Sequence, residues 1–138
     1  MNHHQKKISI LTTGKGFNRI TRAVEEVVSE SKIRTGLCTI FICHTSASLV
    51  IQENADPDVL VDLSNFFANL VPESTQYIHD TEGADDMPAH IRSVLTKTSE
   101  QIPINQSRLA LGIWQGIYVW EHRASGHRRD IIVHISGV

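Results

Sequence analysis

Ile117-Tyr118-Val119-Trp120-Glu121-His122-Arg123, Ala124-Ser125-Gly126 and His127-Arg128-Arg129-Asp130-Ile131-Ile132-Val133-His134-Ile135-Ser136 follow one another near the end of the chain. The outer segments are rich in β-branched and aromatic residues, and the middle one is a short turn with a glycine. This pattern predicts two strands joined by a hairpin-length connection. Upstream, Gln101–Ile104 and Arg108–Gly112 flank a turn at Asn105-Gln106-Ser107 and repeat the theme.

Further out, Lys6–Thr12 alternates as a strand until Gly14 and Gly16 break it, and residues 1–5 are expected to form a disordered tail. A helix is expected from about Asn18 to Glu30, with Phe17, Ile20, Val24, Val27 and Val28 on one stripe. Leu37–Cys43 and Ser48–Glu53 read as strands. Asp56 and Pro57 carry the N-cap and N1 signals of a second helix, with Leu60, Leu63, Phe67 and Leu70 at helical spacing up to Pro72. A polar loop covers Glu73–Asp86, and a short helix from about Pro88 to Thr98 is expected to bury Ile91, Val94 and Leu95. Three helices among about seven strands predict a single α+β domain, residues 1–138, with mostly antiparallel, sandwich-like sheet.

A chain of 138 residues with 41% hydrophobic and 20% charged residues is one ordinary globular domain. No apolar run approaches the roughly 18 residues that cross a membrane, and Met1–Lys7 lacks an apolar signal core, so a cytoplasmic protein without a membrane partner is expected. A net charge of −2 gives no basic field for nucleic acid. Cys38 and Cys43, about 16 Å apart along a strand and on opposite faces, are too distant for a disulfide. Cys43 is expected in the core, and Trp114 and Trp120 in the core or an interface.

The near-neutral balance hides an asymmetry. Glu53–Asp86 holds nine acids and no Lys or Arg, whereas Arg108 to the C-terminus holds four arginines and no lysine. Arginine favours bidentate recognition of carboxylate or phosphate. Acids and arginines of neighbouring subunits are expected to face each other in an assembly. Among eight histidines, His44 ends an apolar strand, His79 lies in the acidic loop, and His90 opens the short helix four residues after Asp86. His122, His127 and His134 sit on C-terminal strands and read as structural. Gly14-Lys15-Gly16 is only superficially a phosphate loop, since Arg19 replaces the third glycine and no Gly-Lys-Ser/Thr follows. His44-Thr45-Ser46 lacks the Gly-x-Ser-x-Gly elbow of a serine hydrolase.

His44-Thr45-Ser46-Ala47-Ser48, Glu53-Asn54, Asp62, Tyr77-x-His79, Ala89-His90 and Leu111-Gly112-Ile113-Trp114-Gln115-Gly116 occur in the order seen in the YjbQ family, also called the secondary thiamine-phosphate synthase family. The chain resembles that family, in its enterobacterial-type form, from about Lys6 to Gly137. The resemblance implies a compact α+β fold with a β-sandwich, a homotrimer, and a pocket around His44, His79 and His90 able to hold a divalent metal. It implies polar functional positions at Glu53, Asp62, Gln115 and Glu121. The implied reaction joins a hydroxymethylpyrimidine diphosphate to a thiazole phosphate with release of pyrophosphate. Ile113 departs from the family's usual threonine, and Asp86-Met87-Pro88 departs from a segment in which many members carry Asn and Asp.

Three readings follow. A transferase would use Mg²⁺ on carboxylates such as Glu53 or Asp62, with Arg108 or Arg129 on phosphate and Ser46 and Gln115 lining the substrate site. A hydrolase would hold Zn²⁺ on His44, His79 and His90, with Glu53 or Glu121 as general base. A non-catalytic trimeric binding protein would leave the histidines dispersed. Small phosphorylated molecules are the substrates expected of the first.

Overall fold

The computed structural model describes all residues, 1–138. The elements run β1 (Asn2–Leu11), β2 (Gly16–Arg19), α1 (Thr21–Ser31), β3 (Gly36–Ile42), β4 (Ala47–Glu53), α2 (Pro57–Leu70), α3 (Asp86–Leu95), β5 (Ser99–Asn105), β6 (Arg108–Leu109), β7 (Gln115–Glu121) and β8 (Arg128–Gly137). A five-stranded sheet has the order β1-β8-β3-β5-β6, and a three-stranded sheet the order β2-β7-β4. Every strand pairing is antiparallel. The α+β reading and its sandwich-like sheets are therefore met. No helix is long and apolar enough to cross a membrane.

Alternation along each strand builds the core. Cys38, Ile40 and Ile42 of β3, Ile131, Val133 and Ile135 of β8, and Ile102 and Ile104 of β5 face Ala47 and Leu49 of β4 and Ile117 and Val119 of β7. Val24, Val27 and Val28 of α1 complete the same cluster. β7 is buried on both faces, because Phe17 stacks on Trp120 at 4.4 Å and Phe67 of α2 meets its ring edge-on at 4.8 Å.

The chain departs from the sequence reading where tertiary partners override local pattern. Ile117–Arg123 and His127–Ser136 do not form a hairpin: β7 pairs with β2 and β4, and β8 pairs with β1 and β3. The Ala124–Gly126 turn carries the chain from one sheet to the other. A Cβ on Gly126 would lie 2.2 Å from the Thr12 carbonyl oxygen, so the crossing has room only for glycine. Residues 2–5 are no tail; they pair with His134–Gly137, using backbone groups of β8 that sequence alone cannot show to be free. Asn18 and Arg19 belong to β2 rather than to a helix. On α3 the expected face is reversed: Pro88, Ala89, Arg92 and Ser93 are buried, while Val94 and Leu95 are exposed. Cys43, one residue beyond β3, is exposed rather than in the core; of the two tryptophans, Trp120 is buried and Trp114 lies on the surface of the single chain.

The two sheets are tied by a buried ion pair. Glu121 at the end of β7 accepts from Arg129 of β8 through Nε at 2.8 Å and through Nη2, and from Thr12 Oγ1 at 2.6 Å. Arg129 Nη2 also donates to Ser46 Oγ at 3.0 Å. Burial pushes the Glu121 pKa up, but the hydrogen bonds from Arg129 and Thr12 outweigh it and hold the group below its ordinary range. Removing one partner of such a pair costs about 3–5 kcal/mol, whereas replacing both by neutral groups costs much less. Arg129→Met is thus expected to destabilise by that amount, and Glu121→Gln/Arg129→Met to recover most of it, in urea unfolding. The pH dependence has opposite signs. In the native protein Glu121 contributes stability above about pH 4.3 that is lost as pH falls through its lowered folded pKa. In Arg129→Met, Glu121 is buried without a cation, its folded pKa rises, and acidification from pH 7 to 5 stabilises the variant.

Candidate metal centre

Asp86 opens α3 with a carboxylate buried at the start of the helix. Residues four apart lie on one helix face, so His90 projects beside it one turn later. The Asp86 Oδ2 atom stands 3.5 Å from His90 Nε2 and 2.5 Å from His79 Nε2, the latter brought in by the polar loop before α3. Ligand atoms of His79, Asp86 and His90 all lie within 4.8 Å of one another. Glu82 Oε2 is 3.4 Å from His79 Nε2.

The surrounding bonds orient these groups. His90 Nδ1 lies 2.9 Å from the Thr45 carbonyl oxygen. A carbonyl only accepts, so Nδ1 carries the proton and the lone pair is on Nε2, facing Asp86. Arg123, two residues past β7, reaches back with Nη1 3.0 Å from Asp86 Oδ1 and Nε 2.8 Å from Asp85 Oδ2. The Asp85 hydrogen bond and charge, with Asp86 adding to them, raise the Arg123 pKa. Burial alone would raise the Asp86 pKa; the hydrogen bond with His79 and the charge of Arg123 bring it below the ordinary carboxylate range. The acid is therefore ionised, with one oxygen held by arginine and the other turned to the histidines. Two imidazoles and a carboxylate form a donor set suited to Zn²⁺ or another first-row transition metal rather than to Mg²⁺, which prefers oxygen. His79 also lines an open cleft of about 400 Å³ with Glu73, Tyr77, Asp80 and Met87.

The other candidate residues lie elsewhere. His44 is not in the cluster: its Nε2 accepts the Asp130 backbone N–H at 2.8 Å, and burial, then Arg129, lower its pKa. That bond occupies the lone pair a metal would need, and Asp86 takes the third place. Glu121, Arg129 and Ser46 satisfy one another in the inter-sheet network, so none faces substrate. Glu53 Oε2 accepts the backbone N–H groups of Ala55 and Asp56 at 3.3 and 3.1 Å, shaping the entry to α2. Asp62 is exposed on α2. Gln115 Oε1 accepts the Gly112 N–H at 2.7 Å. Arg108 is exposed on β6, beside Glu25 and Ser29 of α1. Within one chain, Arg123 already meets the acidic segment at Asp85 and Asp86. Asp86, Glu82 and Arg123 were not among the expected site residues; the Asp86-x3-His90 spacing was the signal available for the first.

The matching blocks thus gather in two places. Thr45, His79 and His90 meet at the candidate metal centre. Asn54 Nδ2 donates to the Ile113 and Gln115 carbonyls at 3.0 and 3.3 Å, joining Glu53-Asn54 to the Gly112–Gly116 block. Because Ile113 contributes its backbone oxygen, its replacement of threonine leaves that bond intact. The family model described as UPF0047 protein YjbQ-like matches residues 6–138. The chain belongs to the YjbQ/UPF0047 family. A UPF0047 protein of Synechocystis sp. is 60% identical over 97% of this chain and 92% of its own length. The UPF0047 protein YjbQ of Salmonella typhimurium is 42% identical over 97% and 98%. The crystal structure of a YjbQ/UPF0047 family protein from Clostridium acetobutylicum superposes with a TM-score of 0.88 at 36% identity, covering 95% of this chain and 99% of that one.

For this YjbQ-family chain, calorimetric titration with Zn²⁺ is expected to give one site per chain. His79→Ala and His90→Ala should abolish it, and Arg123→Met should weaken it about tenfold by freeing Asp86. His44→Ala should leave the affinity unchanged.

Proposed function

We propose that this protein is a metal-dependent hydrolase acting on small phosphorylated molecules, with Zn²⁺ or a similar ion on His79, Asp86 and His90. The observation that carries the reading is the convergence of these three donors with His90 Nδ1 fixed on the Thr45 carbonyl. A metal held there would lower the pKa of a bound water toward 7. Asp86, restrained by Arg123, and His90, restrained by Thr45, hold fixed positions. Glu82 is a largely exposed carboxylate beside His79, able to accept a proton where Glu53 and Glu121 are occupied.

The transferase reading has less support from the side chains assigned to it. Glu53 and Asp62 do not share a cation site, Arg129 is neutralised by Glu121, and Arg108 lies with Glu25 rather than with the histidines. The discriminating experiment is turnover by zinc-loaded protein with a panel of phosphate esters, beside a hydroxymethylpyrimidine diphosphate offered with a thiazole phosphate. Ester hydrolysis that falls at least about 100-fold in Asp86→Asn and Glu82→Gln supports the proposal. Pyrophosphate release only when both thiamine precursors are present supports the transferase instead. Metal binding without turnover supports the binding-protein reading.

We also propose a homotrimer. α2 has no fully buried residue, and Val61, Phe66 and Leu70 are exposed on it, apolar area that a subunit contact would cover. Light scattering is expected to give three times the 15.4 kDa chain mass; a monomer would remove this assembly.

A further inference from the structure

We infer that a second cleft, walled by β2, α2, α3 and β7 and bounded by Lys15 and Arg92, binds the phosphate group of a small phosphorylated molecule. The cleft measures about 260 Å³, and Gly16, Asn65 and Trp120 contribute to its lining. This site stands independently of the metal centre, because none of the three donors there lines it.

Arg92 is the reason. Two arginines of this chain are buried, and Arg129 has Glu121. Arg92 is 5% exposed, yet its guanidinium makes neither hydrogen bond nor ion pair, and its Nε is fully enclosed without a partner. A buried cation left uncompensated is costly, and a guanidinium fork is shaped for two oxygens of one anion. Its charge is felt locally: His122, whose ring lies 5.0 Å from that of Trp120, is held neutral with a pKa of about 3, by burial first and the Arg92 charge second.

The second cation is Lys15. Gly16, at φ +144°, takes a backbone conformation that glycine reaches readily as the chain passes Lys15 into β2. Lys15 pairs with Glu73, and Glu73 is also the carboxylate whose charge acts on Arg92. One acid therefore serves two cations, and a positive charge remains. A phosphate dianion would answer both cations at once, displacing Glu73 from Lys15 toward the His79 cleft, whose wall it already forms. A carboxylate brings only one charge, so phosphate is the better match. Trp120 offers an apolar surface beside the anion.

The test is calorimetric and ³¹P NMR titration of the full-length protein with inorganic phosphate. Saturable binding with Kd at or below about 10 mM is expected. Arg92→Met should remove it, Arg92→Lys should weaken it about tenfold through loss of the fork, and Lys15→Gln should weaken it several-fold. Glu73→Gln should tighten it, because a competing carboxylate is lost. His90→Ala should leave it unchanged, which separates this site from phosphate bound at a metal. Absence of saturable binding overturns the inference. So does equal affinity in Arg92→Lys and wild type, or binding lost in His90→Ala and kept in the Arg92 variants. Should Arg92→Met fail to fold, the Arg92→Lys and Glu73→Gln results decide.

Discussion

The Glu121–Arg129 pair constrains this molecule more than any other single interaction. Its two residues are separated by the Ala124–Gly126 crossing and belong to different sheets, so the pair forms only when both sheets have closed over the core. Thr12, just after β1, Ser46, just before β4, and the Arg123 backbone N–H supply further bonds. Ionised groups tolerate burial when they are paired and hydrogen-bonded, as the Glu121 carboxylate and the Nε and Nη2 of Arg129 are. The position of everything that follows Glu121 depends on that closure.

Arg123 shows the consequence. Its backbone N–H donates to Glu121 Oε2 at 3.1 Å, which fixes where the side chain starts. From there it gathers Asp85 and Asp86 and takes the Glu82 carbonyl as well. A loop with nine acids in its wider segment would otherwise repel itself. One arginine turns the end of that loop into a defined start for α3 and aims Asp86 at two imidazoles. The network between the sheets thus reaches the His79–Asp86–His90 cluster in two residues.

The same logic separates residues that share a chemical type. Arg123 organises acids, Arg129 joins sheets, and Arg92 has no partner; only the surroundings distinguish them. His44 and His90 differ in the same way, since one gives its lone pair to a backbone N–H and the other keeps it free by donating to a carbonyl.

Periodicity was sufficient for the antiparallel α+β architecture, the strands lining the core and the Asp56–Pro57 start of α2, because alternation and capping are local rules. The motif blocks pointed to the family and, through it, to His79 and His90; Asp86 stood in view only as the residue four before His90. Other features depended on which surfaces meet: the crossing in place of a hairpin, the strand formed by residues 2–5, the buried face of α3, and the exclusion of His44. The roles of Glu121 and Arg129 were of this kind too, since a carboxylate and an arginine read alike in a linear chain whether they face substrate or each other. Side-chain chemistry is written residue by residue, but whether a charged group is free to act is set by its partners, and partners distant in sequence are chosen only by the closed fold.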